Sequence, residues 1–279
     1  MLKNQIITKA SGERTNFDVQ KLKNSLRKSG ADEQTIELIV DNIVSKLYEN
    51  ITTKEIYTLA FSMLRSTNQK PFAAKYKLKN AIMELGPSGY PFEKYFAEIL
   101  KHQGYDADVS VMVNGLCVKH EIDILASFKN EIHFIECKYH NGRGVITDVK
   151  TSLYIKSRFE DVKNAQMNLK ENKGKNMFGW VVTNTHFSDD AIKFGICSGL
   201  KLLGWNYPEG KSLKEHIDRT GLHPLTCLTT LTKTEKGELL DRKIVLCKEI
   251  AEDPNLLASI GISKVRIRKI SEEATLLSK

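Results

Sequence analysis

Two strand-length runs separated by only two turn residues constrain this chain more than any other feature. His120 to Ala126 alternates, with Ile122, Ile124 and Ala126 on one side and Glu121, Asp123 and Leu125 on the other. Glu131 to Lys138 stays apolar until it ends in Glu136, Cys137 and Lys138, and Lys129-Asn130 closes the two runs into a hairpin. Residues two apart on a strand share a face, so Glu136 and Lys138 go together, and pairing across the turn sets Asp123 opposite Phe134 or Glu136. Either register gathers Asp123, Glu136 and Lys138 on one face. Cys137 points the other way, toward a core.

The surroundings of this hairpin predict an α/β layer. A helix over 92–103 ends at Gly104, and strand-like runs follow at 107–113, 117–126 and 131–138. A polar-faced helix over 145–171, an apolar strand at 177–183, a helix over 189–197 opened by Ser188 and a strand at 200–205 complete the order. Upstream, Glu84 to Pro91 concentrates Gly and Pro where periodicity lapses, which marks a domain junction near residue 88. Before it stand a hairpin over residues 2–17, turning at Ser11-Gly12-Glu13, and helices from Asp18, over 32–48, 53–66 and 71–83. Beyond 211 only short helices are predicted. The expected fold is multi-domain: a small hairpin with a helical bundle at 1–87, an α/β core at 88–210 and a helical tail at 211–279.

The formal net charge of +8 favours a polyanionic partner, and Lys150 to Lys175 and Lys264 to Lys269 are locally basic. Five cysteines (Cys117, Cys137, Cys197, Cys227, Cys247), with no CxxC pair, fit a reducing cytosol and neither a zinc site nor a disulfide frame. No stretch approaches the roughly 18 apolar residues of a membrane span, and the first residues lack a signal-peptide core. A soluble, cytoplasmic protein without a membrane partner is expected. Lys173-Gly-Lys175 lacks the upstream glycine and hydroxyl residue of a phosphate-binding P-loop.

Two half-buried carboxylates side by side are costly unless they share a cation, and oxygen donors at this density suit Mg²⁺ or Mn²⁺. Phosphodiester hydrolysis is the chemistry such a group serves, with Lys138 positioning the bound water or neutralising developing charge. Ile122-Asp123, the apolar strand into Glu136-Cys137-Lys138, and Pro91 to Leu100 followed by Gly104-Tyr105 resemble the PD-(D/E)xK nuclease superfamily, most closely its Mrr-like restriction endonuclease branch. The resemblance spans 90–207 and implies a restriction endonuclease-like core in which Asp123 and Glu136 are metal ligands and Asp123, Glu136 and Lys138 are catalytic. It also implies an acidic residue from the first helix, for which Glu93 and Glu98 are available and Glu98 is taken as the ligand. Glu121 stands where the family usually has glycine. Asn141 to Gly144 and the following helix with Asp148 would lie near the scissile phosphate, with Lys150 and Arg158 as DNA contacts.

Lys9, Arg14 and Lys21 cluster around the first hairpin and the first turn of the next helix, whose amides and dipole favour an anion. Together with Gly12, Phe17-Asp18, Ile51 to Ile56 and Ala73 to Tyr76, the pattern over 3–83 resembles the ATP-cone, a nucleotide-sensing module. By that resemblance Lys9, Arg14 and Lys21 hold phosphates, Thr53 and Lys75 assist, and ATP or dATP is an effector. Ala10 stands where the family has arginine, with Arg14 as the available substitute. In the tail, Asn255 to Lys269 is weakly similar to a helix-hairpin-helix, whose turn amides grip a DNA phosphate; a packing or oligomerisation element fits equally well.

The function expected is a metal-dependent endodeoxyribonuclease regulated by ATP or dATP, acting as a homo-oligomer. The alternatives are a nucleotide-sensing DNA-binding regulator with an inactive nuclease fold, and an assembly protein that binds neither ligand.

Overall fold

The computed structural model describes residues 5–9, 12–66, 70–142 and 144–278. Ala10, Arg143, and residues 2–4 and Ser11 of the expected first hairpin lie outside the described residues.

Along the chain run β1 (Ile6–Thr8), β2 (Arg14–Asn16), α1 (Val19–Lys28), α2 (Glu33–Ser45), β3 (Ile51–Thr52), α3 (Thr53–Ser66), α4 (Lys70–Tyr76) and α5 (Leu78–Met83). Next come α6 (Tyr90–His102), β4 (Asp106–Asn114), β5 (Lys119–Phe128), β6 (Glu131–Lys138), β7 (Ile146–Thr147) and α7 (Val149–Gln166). Then follow β8 (Asn176–Thr183), β9 (His186–Phe187), α8 (Asp189–Ser198), β10 (Lys201–Leu203) and α9 (Leu213–Thr220), and last α10 (Lys233–Asp241), α11 (Cys247–Glu252), α12 (Asn255–Ala258) and α13 (Lys264–Leu277).

By contact the chain divides into two compact units, 1–81 with 223–239 and 246–279, and 82–222 with 240–245. This differs from the three-part division expected, because 211–279 forms no body of its own. In the first unit the Thr226 hydroxyl donates to the Ala81 carbonyl at 2.6 Å and Lys77 reaches the Thr226 carbonyl at 3.3 Å. The buried Glu273 accepts from the amides and hydroxyls of both Thr229 and Thr230. Four donors on one carboxylate satisfy a charge that burial would otherwise penalise, and they hold the C-terminal helices in place.

The N-terminal part of that unit is a three-stranded sheet, β2-β1-β3, with β1 antiparallel to β2 and parallel to β3. Asp18 caps α1 by accepting from the amides of Gln20 and Lys21. Ile36, Ile39, Val40 and Ile43 recur at helical spacing and join Leu22, Leu26, Ile51, Ile56, Ala60 and Leu64 in one buried cluster. The helix expected over 71–83 is two, broken at Lys77.

The second unit is built on a five-stranded mixed sheet, β10-β8-β6-β5-β4, antiparallel from β4 to β6 and parallel from β6 to β10. Ile155, Phe159 and Val162 of α7 pack on Ile132, Phe134, Met177 and Val181. A side chain on Gly179 would meet the Phe159 ring at 2.6 Å, so this crossing needs a glycine. On the other sheet face, Phe92 of α6 lies 5.7 Å from the Tyr139 ring, and Tyr105 after α6 lies 5.3 Å from His133. Helices therefore cover both faces, as the α/β order predicted. The short parallel pair β7-β9 had no signature in the sequence.

Candidate active site: an acidic cluster at the strand ends

The β5–β6 register is Phe128↔Glu131 through Ile124↔Ile135, with Lys129 in the left-handed region at φ 52° closing the turn. One step further along, Asp123 comes level with Glu136, the second of the two registers expected. The Cys137 amide donates to Asp123 Oδ2 at 2.7 Å and ties the two strand ends together.

The alternation read for β5 is interrupted here. Ile122 belongs to the buried cluster around Phe134 and Phe159, and Leu125, three residues on, packs against the same cluster. An odd separation cannot share a face on a regular strand. On β4, Ser110 takes φ 54° between the pairs Val109↔Ile124 and Val111↔Ile122, level with Asp123. A left-handed residue in the partner strand distorts the ladder locally and re-aims the side chain opposite.

Both Glu136 oxygens are engaged. Lys138 Nζ lies 2.7 Å from Oε1 and Arg158 Nη1 lies 2.6 Å from Oε2, and the Arg158 and Glu136 side chains are only 16% and 10% exposed. Arg158 also donates to the Glu121 carbonyl, and its guanidinium lies 5.5 Å from the Tyr154 ring centroid. It is thus an internal counter-charge, not the open DNA contact expected from sequence. Lys150, the other expected contact, is exposed at the start of α7.

The third carboxylate is Glu93, and the choice of Glu98 is corrected. At 100° per residue the two are about 140° apart on the helix, so only one faces the sheet end. Glu98 pairs instead with Lys101 at 3.1 Å. Burial, and then the negative charge of Asp123, Glu136 and Glu121, push the Glu93 carboxyl up to about 7. Burial and the neighbouring Glu136 push Asp123 up to about 6. Burial pushes the Cys137 thiol up as well, which makes it a core group and not a nucleophile.

Among the described residues, the counter-charges felt by Glu93 and Asp123 are Lys138 and Arg158, and the net influence of burial and neighbouring carboxylates on both is to raise them. A hard divalent cation suits that donor chemistry. Among the described residues, however, no three His, Cys, Asp or Glu side chains stand together as a ready ligand set, and Glu136 is paired with Lys138 and Arg158.

Below the strand ends, the Asn184 side chain bonds both the amide and the carbonyl of His140, at 2.8 and 2.7 Å. Thr183 Oγ1 donates to the Lys138 carbonyl at 2.8 Å. Sequence reading passed over Asn184, Thr183 and Tyr139, because hydroxyl and amide side chains carry no motif until the strands are aligned.

In the first unit, Lys9 pairs with Glu13 at 3.1 Å and Lys21 lies 3.8 Å from Asp18. Arg14 is level with Thr8 across the hairpin, which brings Lys9 and Arg14 to one end of it. Lys9, Arg14, Lys21 and Lys75 are exposed. Thr53 is the first residue of α3 and Thr52 is its cap: the Glu55 amide donates to Thr52 Oγ1, and Glu55 Oε2 accepts from the Thr52 amide and hydroxyl. These bonds, together with one from Tyr48, hold Glu55 down at about 2.

No helix among the described residues is long and apolar enough to cross a membrane. All five cysteines are free thiols.

Comparison with known proteins gives two family matches: the ATP cone domain over residues 5–82 and the AF1548-like C-terminal family over 223–278. The second begins at the residue where the chain returns to the first unit. An uncharacterized protein of Archaeoglobus fulgidus is 34% identical over 179 residues, spanning 64% of this chain and 97% of that one. The crystal structure of AF1548, a protein of unknown function, is similar with a TM-score of 0.56 and 33% identity, over 67% of this chain and 97% of that one. With an ATP-cone at its N-terminus and a relative matched over nearly its whole length, this chain belongs to the AF1548-like family.

Proposed function

We propose that the protein is a divalent-metal-dependent endonuclease acting on DNA phosphodiesters, with ATP or dATP on its ATP-cone as effector. The observation that carries this reading is that Glu93 and Asp123 lie near enough to Glu136 to feel its charge where two paired strands end, with Lys138 on Glu136. Asp123, Glu136 and Glu93 would hold Mg²⁺ or Mn²⁺, which when bound would polarise a phosphodiester oxygen and acidify water. Lys138 stabilises negative charge developing on the phosphate, and Arg158 holds the Glu136 carboxylate in place from α7. The formal net charge of +8 favours the polyanionic substrate.

One observation favours a second reading, a nucleotide-sensing DNA-binding regulator that does not cut. Lys138 and Arg158 already neutralise Glu136, as they would in a site that has no use for a metal. Incubating plasmid DNA with Mg²⁺ or Mn²⁺, with and without ATP or dATP, separates the two. Cleavage by the native protein that is lost in Lys138→Ala supports the nuclease. Tight DNA binding without cleavage in either metal sinks the nuclease and leaves the regulator.

A further inference from the structure

The peptide that opens the second unit is hydrogen-bonded to the residue beside Lys138. Tyr139 Oη donates to the Met83 carbonyl at 2.6 Å and accepts from the Gly86 amide at 2.8 Å. A Cβ on Gly86 would lie 2.6 Å from the Tyr139 ring, so chain and phenol approach this closely only because residue 86 is glycine. Asn184 makes a second tie, since its amide donates to Met83 Sδ at 3.1 Å as well as to the His140 carbonyl. Phe92 holds the face of the Tyr139 ring and Thr183 holds the Lys138 carbonyl. Residues 138–140 are thereby fixed from below and attached to 83–86 by the Tyr139 phenol directly and through Asn184 to Met83.

The ATP-cone match ends at residue 82, one residue before this attachment. We propose that Tyr139 is a positioning residue that couples the ATP-cone to Lys138: displacement of Met83 to Gly86, the residues that follow the ATP-cone match in the chain, is passed to the Lys138 backbone by the two hydrogen bonds of the Tyr139 hydroxyl. This rests on the reading of Lys138 as a catalytic group and of the ATP-cone as nucleotide-responsive. The half-buried phenol carries both ends of the attachment on one oxygen, as donor to Met83 and acceptor from Gly86. Because one hydroxyl makes both bonds, a shift of the Met83 to Gly86 backbone that keeps them shifts the phenol with it.

Hydrogen exchange of the full-length protein, with and without ATP, tests it against Tyr139→Phe, which keeps the ring and removes only the hydroxyl. In the native protein ATP should change exchange in both 84–90 and 138–142, by about fivefold or more, the lower range of ordinary allosteric coupling. Tyr139→Phe should bind ATP equally well and keep the response at 84–90 while cutting it at 138–142 to what the Asn184 tie alone transmits. Gly86→Ala, which displaces the ring and retains the phenol, should show the same reduction. A purely structural tyrosine would alter exchange equally with and without ATP. The proposal is overturned by native protein that binds ATP without a response at 138–142, or by Tyr139→Phe responding there as the native protein does. The exchange response is read without DNA, so a failure of the nuclease reading appears separately, as absent cleavage beside an intact response.

Discussion

The two candidate sites treat their charges in opposite ways. At the ATP-cone hairpin, Lys9, Arg14 and Lys21 are exposed, and among the described residues Lys9 pairs with Glu13 and Lys21 lies near Asp18, both close in sequence. At the strand ends, carboxylates from α6, β5 and β6 are drawn under a helix and supplied with a lysine from their own strand and an arginine from α7. Exposed pairs at short separation contribute little and dissociate easily, so the first site costs almost nothing to hold open. The buried set stores repulsion, and any bound cation has to displace resident ones. The first arrangement suits a ligand that comes and goes, the second a group that stays.

The sharpest way to break that contrast is to remove the cations of the acidic site one at a time. Lys138→Ala should lower cleavage by about a thousandfold, the scale lost with one preorganised donor to a developing oxyanion, with DNA affinity nearly unchanged. A variant that cuts as fast as the native protein would remove Lys138 from the chemistry. Arg158→Met should cost about 3 kcal/mol in a denaturant titration, because it leaves Glu136 buried with one partner in place of two. If stability is unaltered, the guanidinium is not the counter-charge that the 2.6 Å pair implies.

Which parts of this were legible in the sequence follows from the range of the forces involved. Ile36, Ile39, Val40 and Ile43 announce their helix because a face repeats within a few residues, and Asp18 announces its start through a cap bond two residues away. The Asp123, Glu136 and Lys138 grouping was readable because the Lys129-Asn130 turn leaves few registers. Glu93 against Glu98 was not, since the rotation of α6 on the sheet is set by the packing of Phe92, Tyr95, Phe96 and Ile99 against strands not yet aligned. Arg158 looked like a phosphate contact because a lysine- and arginine-rich helix carries no mark of which cation turns inward. The return of 223–239 and 246–279 to the first unit depends on bonds such as Thr226 to Ala81, across 145 residues, which no local pattern encodes.

On the exposed side of the comparison the expected effects are smaller. Arg14→Ala and Lys9→Ala should each raise the Kd for ATP by about tenfold, the loss of one charge-assisted hydrogen bond in a solvated site, and leave thermal stability within experimental scatter. The effect should shrink as salt rises, because these side chains lie open to screening. Equal loss of affinity in low and high salt would mean that ATP buries them on binding and that the site is less open than the unliganded hairpin.

The smallest effect reads the stored repulsion directly. Glu93 and Asp123, raised to about 7 and about 6, hold protons in the folded protein at a pH where the unfolded chain, with carboxylates near about 4, has released them. Between those values the native state binds more protons, so stability falls as pH rises. In metal-free protein the melting temperature should therefore decline from about pH 5 to pH 7.5 through this cluster. Glu93→Gln should flatten the decline, and added Mg²⁺ should flatten it in the native protein by meeting the charge instead of removing it. Substituting Glu98, which pairs with Lys101 on the same helix, is the matched control. If Glu98→Gln flattened the decline and Glu93→Gln did not, the third carboxylate of the cluster would be the one chosen from sequence.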